Sequence, residues 1–291
     1  MVNSNASADT LEKAPVWMRA PYGRSPWEQI AEFWRRRKLL GFLISYGLAR
    51  LYNKALLGMA WLFIRPAIMV LTAVLVVKTM LGVSTAPVPL LLFILASFAP
   101  WLMFQRGMLM GTRSFSAYGP LLTQFLFPRT MIQIASVAPS FLIFLVVFAA
   151  AVLAMIYFAV TGVYAISLGW HTLWVPVAIL MTLFLIWGLS FFTAPLNAMA
   201  ADTALTLRYI LTAAMILSPV FYPMTRLTEG VREYMWYNPI ACMLELYRWG
   251  LFHQHEPSWT HVWLSWGVIL AIFMVGWWFF SRCEQRALEE M

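Results

Sequence analysis

The chain has 291 residues, of which 62% are hydrophobic and only 11% charged, with a mean hydropathy of +0.74 and a formal net charge of +8. A soluble domain carries roughly 25% charged residues, and the 72 residues between Arg129 and Asp202 contain no Asp, Glu, Lys or Arg at all. This composition excludes a soluble globular protein and fits an all-α polytopic membrane protein, in which the positive charge reads as a topology signal and not as a nucleic-acid footprint.

In chain order, residues 1–24 are small, polar and proline-rich with no period, and read as a disordered N-terminal segment. Residues 25–61 read as cytoplasmic amphipathic interface helices. Ser25, Pro26 and Glu28 form a capping box, Trp27, Ile30 and Trp34 share one helical face, and Arg35 to Lys38 form a basic cluster suited to anionic headgroups. Residues 62–291 form the transmembrane domain. Six transmembrane helices are expected, near 62–81, 88–107, 132–158, 173–195, 206–224 and 262–281. Nine Lys and Arg precede the first of these. Loops 82–87 and 159–172 have none, and the loop after span two has Arg113 and Arg129. This alternation places both termini in the cytoplasm.

The stretch WYNPIACMLELYRWGLF at 236–252 does not fit that scheme. It is too apolar for a loop and too short and charged for a span. Pro219 and Pro223 end span five, Asn238-Pro239 marks a turn, and Met243, Leu246, Tyr247 and Gly250 then recur at helical spacing. Short re-entrant or interfacial helices between spans five and six are the reading. Glu245 and Arg248 are three apart and project from one side of such a helix. An unpaired charge near the bilayer is costly, so they are expected to pair with each other or across a dimer as an external gate. If they pair within one chain, exchanging the two charges recovers part of the loss caused by either single change. The bland alternative is a solvated face.

The chemical inventory points to a conduit. There is no G-x-x-x-x-G-K-[ST] run to cradle phosphates, and Asp9 and Asp202 are the only aspartates, so no close carboxylate pair presents itself for a metal. No cofactor or metal is expected in this chain. His253 and His255 make a weak H-x-H signal. Aromatic residues reach 16%, and most serve as interfacial anchors. Those placed to line a substrate pathway are Trp61 and Phe63 at the cytoplasmic entrance, and Phe221, Tyr222, Trp236 and Tyr237 at the external gate.

Several stretches resemble the ABC-2-type permeases of the polysaccharide export family, which move O-antigen, capsule or teichoic-acid chains. LARLYNKALLGMAWLFIRP at 48–66 resembles the family's signature before span one, with Tyr52, Leu57, Gly58, Trp61 and Pro66; Arg65 stands where Gln is frequent. LLTQFLFPRTMIQIASV, with Phe127, Pro128 and Arg129, is similar to the entry into span three. RYILTAAMILSPVFYP followed by YNPIACMLELYRWGLF resembles the end of span five and the return before span six. The resemblance implies a homodimer in a bacterial cytoplasmic (inner) membrane, working with two copies of a separate ATP-binding subunit that holds ATP and Mg, on a lipid-linked glycan. It also implies that the loop after span two, with Arg113, Phe115, Tyr118 and Arg129, receives the ATPase stroke. The alternatives are an ABC-2 permease for a lipid or drug-like molecule and, from another class, a membrane-embedded glycosyl- or acyltransferase.

Overall fold

The computed structural model describes residues 37–52, 57–82, 85, 87–124, 129–166, 169–200 and 202–283. The disordered segment expected at 1–24 and the capping box with Trp27, Ile30 and Trp34 lie outside the described residues. So does the side chain of Arg129. Among the described residues the chain is helical, with no strand: α1 (Arg37–Tyr52), α2 (Trp61–Val76), α3 (Leu90–Thr112), α4 (Ser114–Gln124), α5 (Arg129–Val160), α6 (Trp174–Met199), α7 (Asp202–Leu217), α8 (Glu229–Trp236), α9 (Pro239–Phe252) and α10 (Trp259–Cys283). Helix α2 is entered by a 3₁₀ turn and closed by a π-turn over Val77–Leu81, which ends at Gly82 with φ 55°. A 3₁₀ turn over Trp170–Leu173 leads into α6.

Among the described residues, five segments are long and apolar enough to cross a membrane: Gly58–Met80, Leu90–Thr112, Thr130–Val160, Trp170–Met199 and Trp259–Arg282. They match five of the six expected spans. The remaining one corresponds to α7, which has 16 residues. It stops at Leu217 because Ser218 precedes Pro219, and a residue before proline is pushed out of the helical region. At 1.5 Å per residue α7 is about 24 Å long, short of the roughly 30 Å hydrocarbon core.

Helix α3 is apolar on every side, and every residue from Leu92 to Phe104 is buried. A helix hydrophobic all round belongs at the centre of a bundle, and α3 packs against α2, α5, α6, α7 and α9. Helix α2 shows how such a bundle assigns faces. Leu62, Pro66, Val70, Ala73 and Val77 follow the helical period and are buried, whereas Phe63, Ile68, Leu71 and Leu75 face outward. All are apolar, so shape and not polarity separates the faces, as expected where lipid is as apolar as the core.

Close helix approaches occur where glycines remove a side chain. They gather on α6. A Cβ added at Gly107 or Gly111 of α3 would lie 2.9 Å from Ile186 and 2.6 Å from Ser190, and one at Gly276 of α10 would lie 2.3 Å from the carbonyl oxygen of Gly188. At Gly250 of α9 it would meet Val175 at 2.8 Å.

Candidate functional site

The 236–252 stretch forms a buried helix. The Asn238 side chain caps α9 by accepting a hydrogen bond from the Ile240 N–H at 3.0 Å, and Pro239 takes the first turn, where a missing N–H costs nothing. The helix ends where His253 enters the left-handed region at φ 52° and its N–H returns to the Trp249 carbonyl. Between these caps Ala241–Leu244 and Leu246–Phe252 are buried. A helix lying flat on a water interface would expose one side, whereas α9 is buried nearly all round.

Arg248 is the polar centre of this helix. Its Nη2 donates to Glu245 Oε1 at 2.5 Å, and its Nη1 donates to the Pro219 carbonyl at 2.7 Å and to Ser97 Oγ at 3.2 Å. The guanidinium sits 4.7 Å from the centre of the Phe93 ring, in cation–π geometry. Glu245 Oε1 also accepts from the Met224 N–H at 3.4 Å. Arg248 is 5% exposed and Glu245 15%. The pair therefore forms within one chain and is no solvated face. It ties α9 to α3 and to the turn after α7, whose residues Ser218–Val220 are buried.

Of the expected pathway aromatics, Phe221 and Tyr222 lie beside this node, while Trp236 and Tyr237 pack against His261. Phe221 meets Phe98 edge-on at 5.8 Å, and Tyr222 donates its hydroxyl to the Leu217 carbonyl at 3.0 Å. Trp236 lies nearly parallel to His261 at 6.1 Å, and the exposed Tyr237 meets the same ring edge-on at 5.0 Å. Trp61 and Phe63 sit instead at the start of α2, with Trp61 under the Arg65 guanidinium and Phe63 exposed. Ser97 and Phe93 were not singled out in the sequence, although a serine inside the apolar run 90–104 is the signal that could have found one of them.

The loop after α3 lies at the other end of that helix, about 22 Å from Ser97 along 15 residues of rise. Helix α4 is held by inward-facing aromatics: Phe115 stacks on Phe280 at 5.7 Å with planes 2° apart, and Tyr118 donates its hydroxyl to the Leu43 carbonyl at 3.1 Å. Burial pushes the Tyr118 phenol up to about 12 against the opposing charge of Arg50, so it stays a neutral donor. The Arg50 guanidinium donates to the Ala117 carbonyl, and Ser114 donates to Gln133 at 2.5 Å. Phe115 and Tyr118 thus anchor α4 to its own bundle, while Arg113, between α3 and α4, is exposed.

The O-antigen export system permease protein RfbA of Myxococcus xanthus is 25% identical over 230 residues, covering 78% of this chain and 85% of its own length. Over that span the chain is similar to a permease of O-antigen export. No family model matches it. The chain is a multi-pass membrane protein, and its buried helix α9 falls within the last of the family-like stretches, 237–252.

Proposed function

We propose that this chain is the membrane subunit of an ATP-driven ABC exporter that moves lipid-linked polysaccharide across the cytoplasmic membrane. Its relation, over more than three quarters of its length, to a permease named for O-antigen export carries the reading. Two copies form the pathway, with α7 as a sixth span. The apolar side chains Leu205, Tyr209, Ile210, Ile216 and Leu217 that α7 leaves exposed are available to the second copy and to lipid. Both termini are cytoplasmic in the inner membrane, and ATP and Mg are bound by a separate subunit below.

Within this reading the ends of α3 have distinct tasks. Arg113 and the α4 surface receive the ATPase, while Phe115 and Tyr118 transmit the displacement because their rings are wedged against α10 and α1. The Glu245–Arg248 node holds the external mouth closed between strokes. The aromatics near it offer flat faces on which sugar C–H groups stack weakly enough to let a chain pass. Deleting the coding sequence in its native host should abolish surface polysaccharide and leave lipid-linked glycan at the cytoplasmic face. Unchanged surface polysaccharide would sink the proposal. Sugar transfer by the purified chain alone would favour the transferase alternative.

A further inference from the structure

The corner between α3 and α4 is held by hydrogen bonds as well as by packing. A single residue, the exposed Arg113, joins the two helices. On one side of it the Gly111 carbonyl, in the last turn of α3 where the helical ladder has run out, accepts from Gln133 Nε2 at 3.1 Å. On the other side the Ser114 hydroxyl, at the start of α4, donates to Gln133 Oε1 at 2.5 Å. A carbonyl only accepts, so it fixes which way the amide points. Gln133 thus bridges both sides of the corner from α5, where it is the only amide side chain, and it is fully buried. The Thr112 hydroxyl donates to the Met108 carbonyl at 2.8 Å, so its oxygen accepts from the Thr193 hydroxyl of α6 at 2.6 Å. Burying an amide among apolar helices is costly unless its partners are present. Bonds of this kind are directional, and unlike the stacked rings of Phe115 and Phe280 they cannot slide without breaking.

Helices α3 and α5 pack along each other and lead from this corner to the same place. About 21 Å along α3 from Gly111, Ser97 accepts from Arg248 at 3.2 Å. About 16 Å along α5 from Gln133, Phe144 meets Tyr247 edge-on at 6.0 Å. Tyr247 and Arg248 are neighbours on α9. Each of the two long helices carries one proline on the way, Pro100 and Pro139, where it can bend. Left untied, either helix could absorb a push at its base by bending alone. Tied at Gln133, they are displaced together. We propose that Gln133 is the joint that passes a displacement of the α3–α4 corner into α3 and α5 at once and, through them, to α9. The proposal rests on the exporter reading for the source of that displacement, the ATPase stroke. Gln133 is a positioning residue: it acts through the helices it ties and not on the substrate.

Two measurements on the full-length chain test the joint. The first is a double-variant cycle by thermal melting of the chain alone in lipid nanodiscs. Gln133→Met keeps the length of the side chain and removes both of its bonds to the corner. Independent sites as far apart as Gln133 and Arg248 add to within about 2 °C for a chain of this size. Gln133→Met combined with Arg248→Gln should instead fall short of the summed single losses by on the order of 5 °C, because a node already cut off from the corner has less to lose. The second measurement is made in the native host. Gln133→Met should leave the ATPase subunit co-purifying with the chain and hydrolysing ATP at the parent rate, while surface polysaccharide falls on the order of tenfold. Ser114→Ala removes one of the two bonds and should lower it less; if Gln133→Met does not fold, Ser114→Ala takes its place in both measurements. Ile132→Ala opens a cavity one residue away, in the cluster with Leu43 and Tyr118, and leaves the corner bonds in place. It should melt at least as far below the parent as Gln133→Met and still deliver parent-like polysaccharide per complex. An additive cycle, parent-like surface polysaccharide with Gln133→Met, or an equal loss with Ile132→Ala would overturn the joint. An additive cycle with surface polysaccharide still dependent on this chain removes the joint and leaves the exporter reading. A non-additive cycle in a chain whose deletion leaves surface polysaccharide unchanged does the reverse.

Discussion

Removing either charge of the Glu245–Arg248 pair should cost the fold far more than a surface ion pair would. Arg248 is 5% exposed and spends its donors on Glu245, Pro219 and Ser97. Breaking a buried pair by removing one partner costs about 3–5 kcal/mol, because the other charge is left desolvated and uncompensated. Arg248→Gln strands the Glu245 carboxylate with a long contact to the Met224 N–H. Glu245→Gln strands a guanidinium that still holds the Pro219 carbonyl. For a chain of this size about 2–4 °C of melting temperature accompanies each kcal/mol, so each single variant should melt on the order of 6–20 °C lower in detergent. The double variant Glu245→Gln with Arg248→Gln should lose much less than the sum of the singles, since no buried charge remains. The charge exchange Glu245→Arg with Arg248→Glu should not recover thermal stability. A glutamate at 248 would place its carboxylate against the Pro219 carbonyl, which can only accept. In proteoliposomes the same single variants should leak small solutes at rest. Singles that melt within a degree or two of the parent, or a double variant whose loss is additive, would refute the argument.

Gly276→Ala should separate α6 and α10, since the new Cβ meets the Gly188 carbonyl at 2.3 Å; a loss of about 1–3 kcal/mol, typical of overpacking, is checked by thermal melting. Cys242 is buried, and burial pushes its thiol up to about 11 with Glu245 adding to the rise. The reactive thiolate should be scarce at pH 8, so maleimide labelling of the native protein should be negligible and should appear in the Arg248→Gln variant if the node holds the mouth closed. Phe115→Ala removes a ring stacked on Phe280 and should lower export and ATPase co-purification while insertion into the membrane persists; normal values for both would show that α4 needs no anchor there. Single cysteines at Ser258 and Ser116 should label with an impermeant reagent only from outside and only from inside, respectively, and the opposite pattern would invert the topology.

Charge-free intervals located four of the membrane helices to within a few residues at most boundaries, because the absence of Lys, Arg, Asp and Glu is a local property that hydrophobic thickness translates into length; the first was located by its apolar run despite Arg65 and Lys78. The end of α7 was nearly legible: Pro219 and Pro223 marked the break, but the rule acting on the residue before a proline moves it to Leu217. The intrachain contact of Glu245 with Arg248 follows from a spacing of three. Their other partners did not show, because Pro219 and Ser97 lie 29 and 151 positions away from Arg248. On α4, a short helix carrying Phe115 and Tyr118 reads alike whether its rings face a partner or its own bundle, and only the packing shows that they face inward.

Helix α6 touches α3, α9 and α10 through backbone brought close by Gly107, Gly111, Gly250 and the Gly188–Gly276 crossing. The Gly188–Gly276 crossing is backbone on backbone and has no rotamer to relax, and the short side chains of Ser190 and Val175 leave little play at Gly111 and Gly250, so these helices resist sliding past one another. The sequences of α2 and α7, by contrast, contain no glycine. They meet the bundle through longer side chains, which can exchange one rotamer for another as a helix slides. Any widening of the bundle is therefore cheapest along α2 and α7, and a pathway that opens sideways toward lipid would open there.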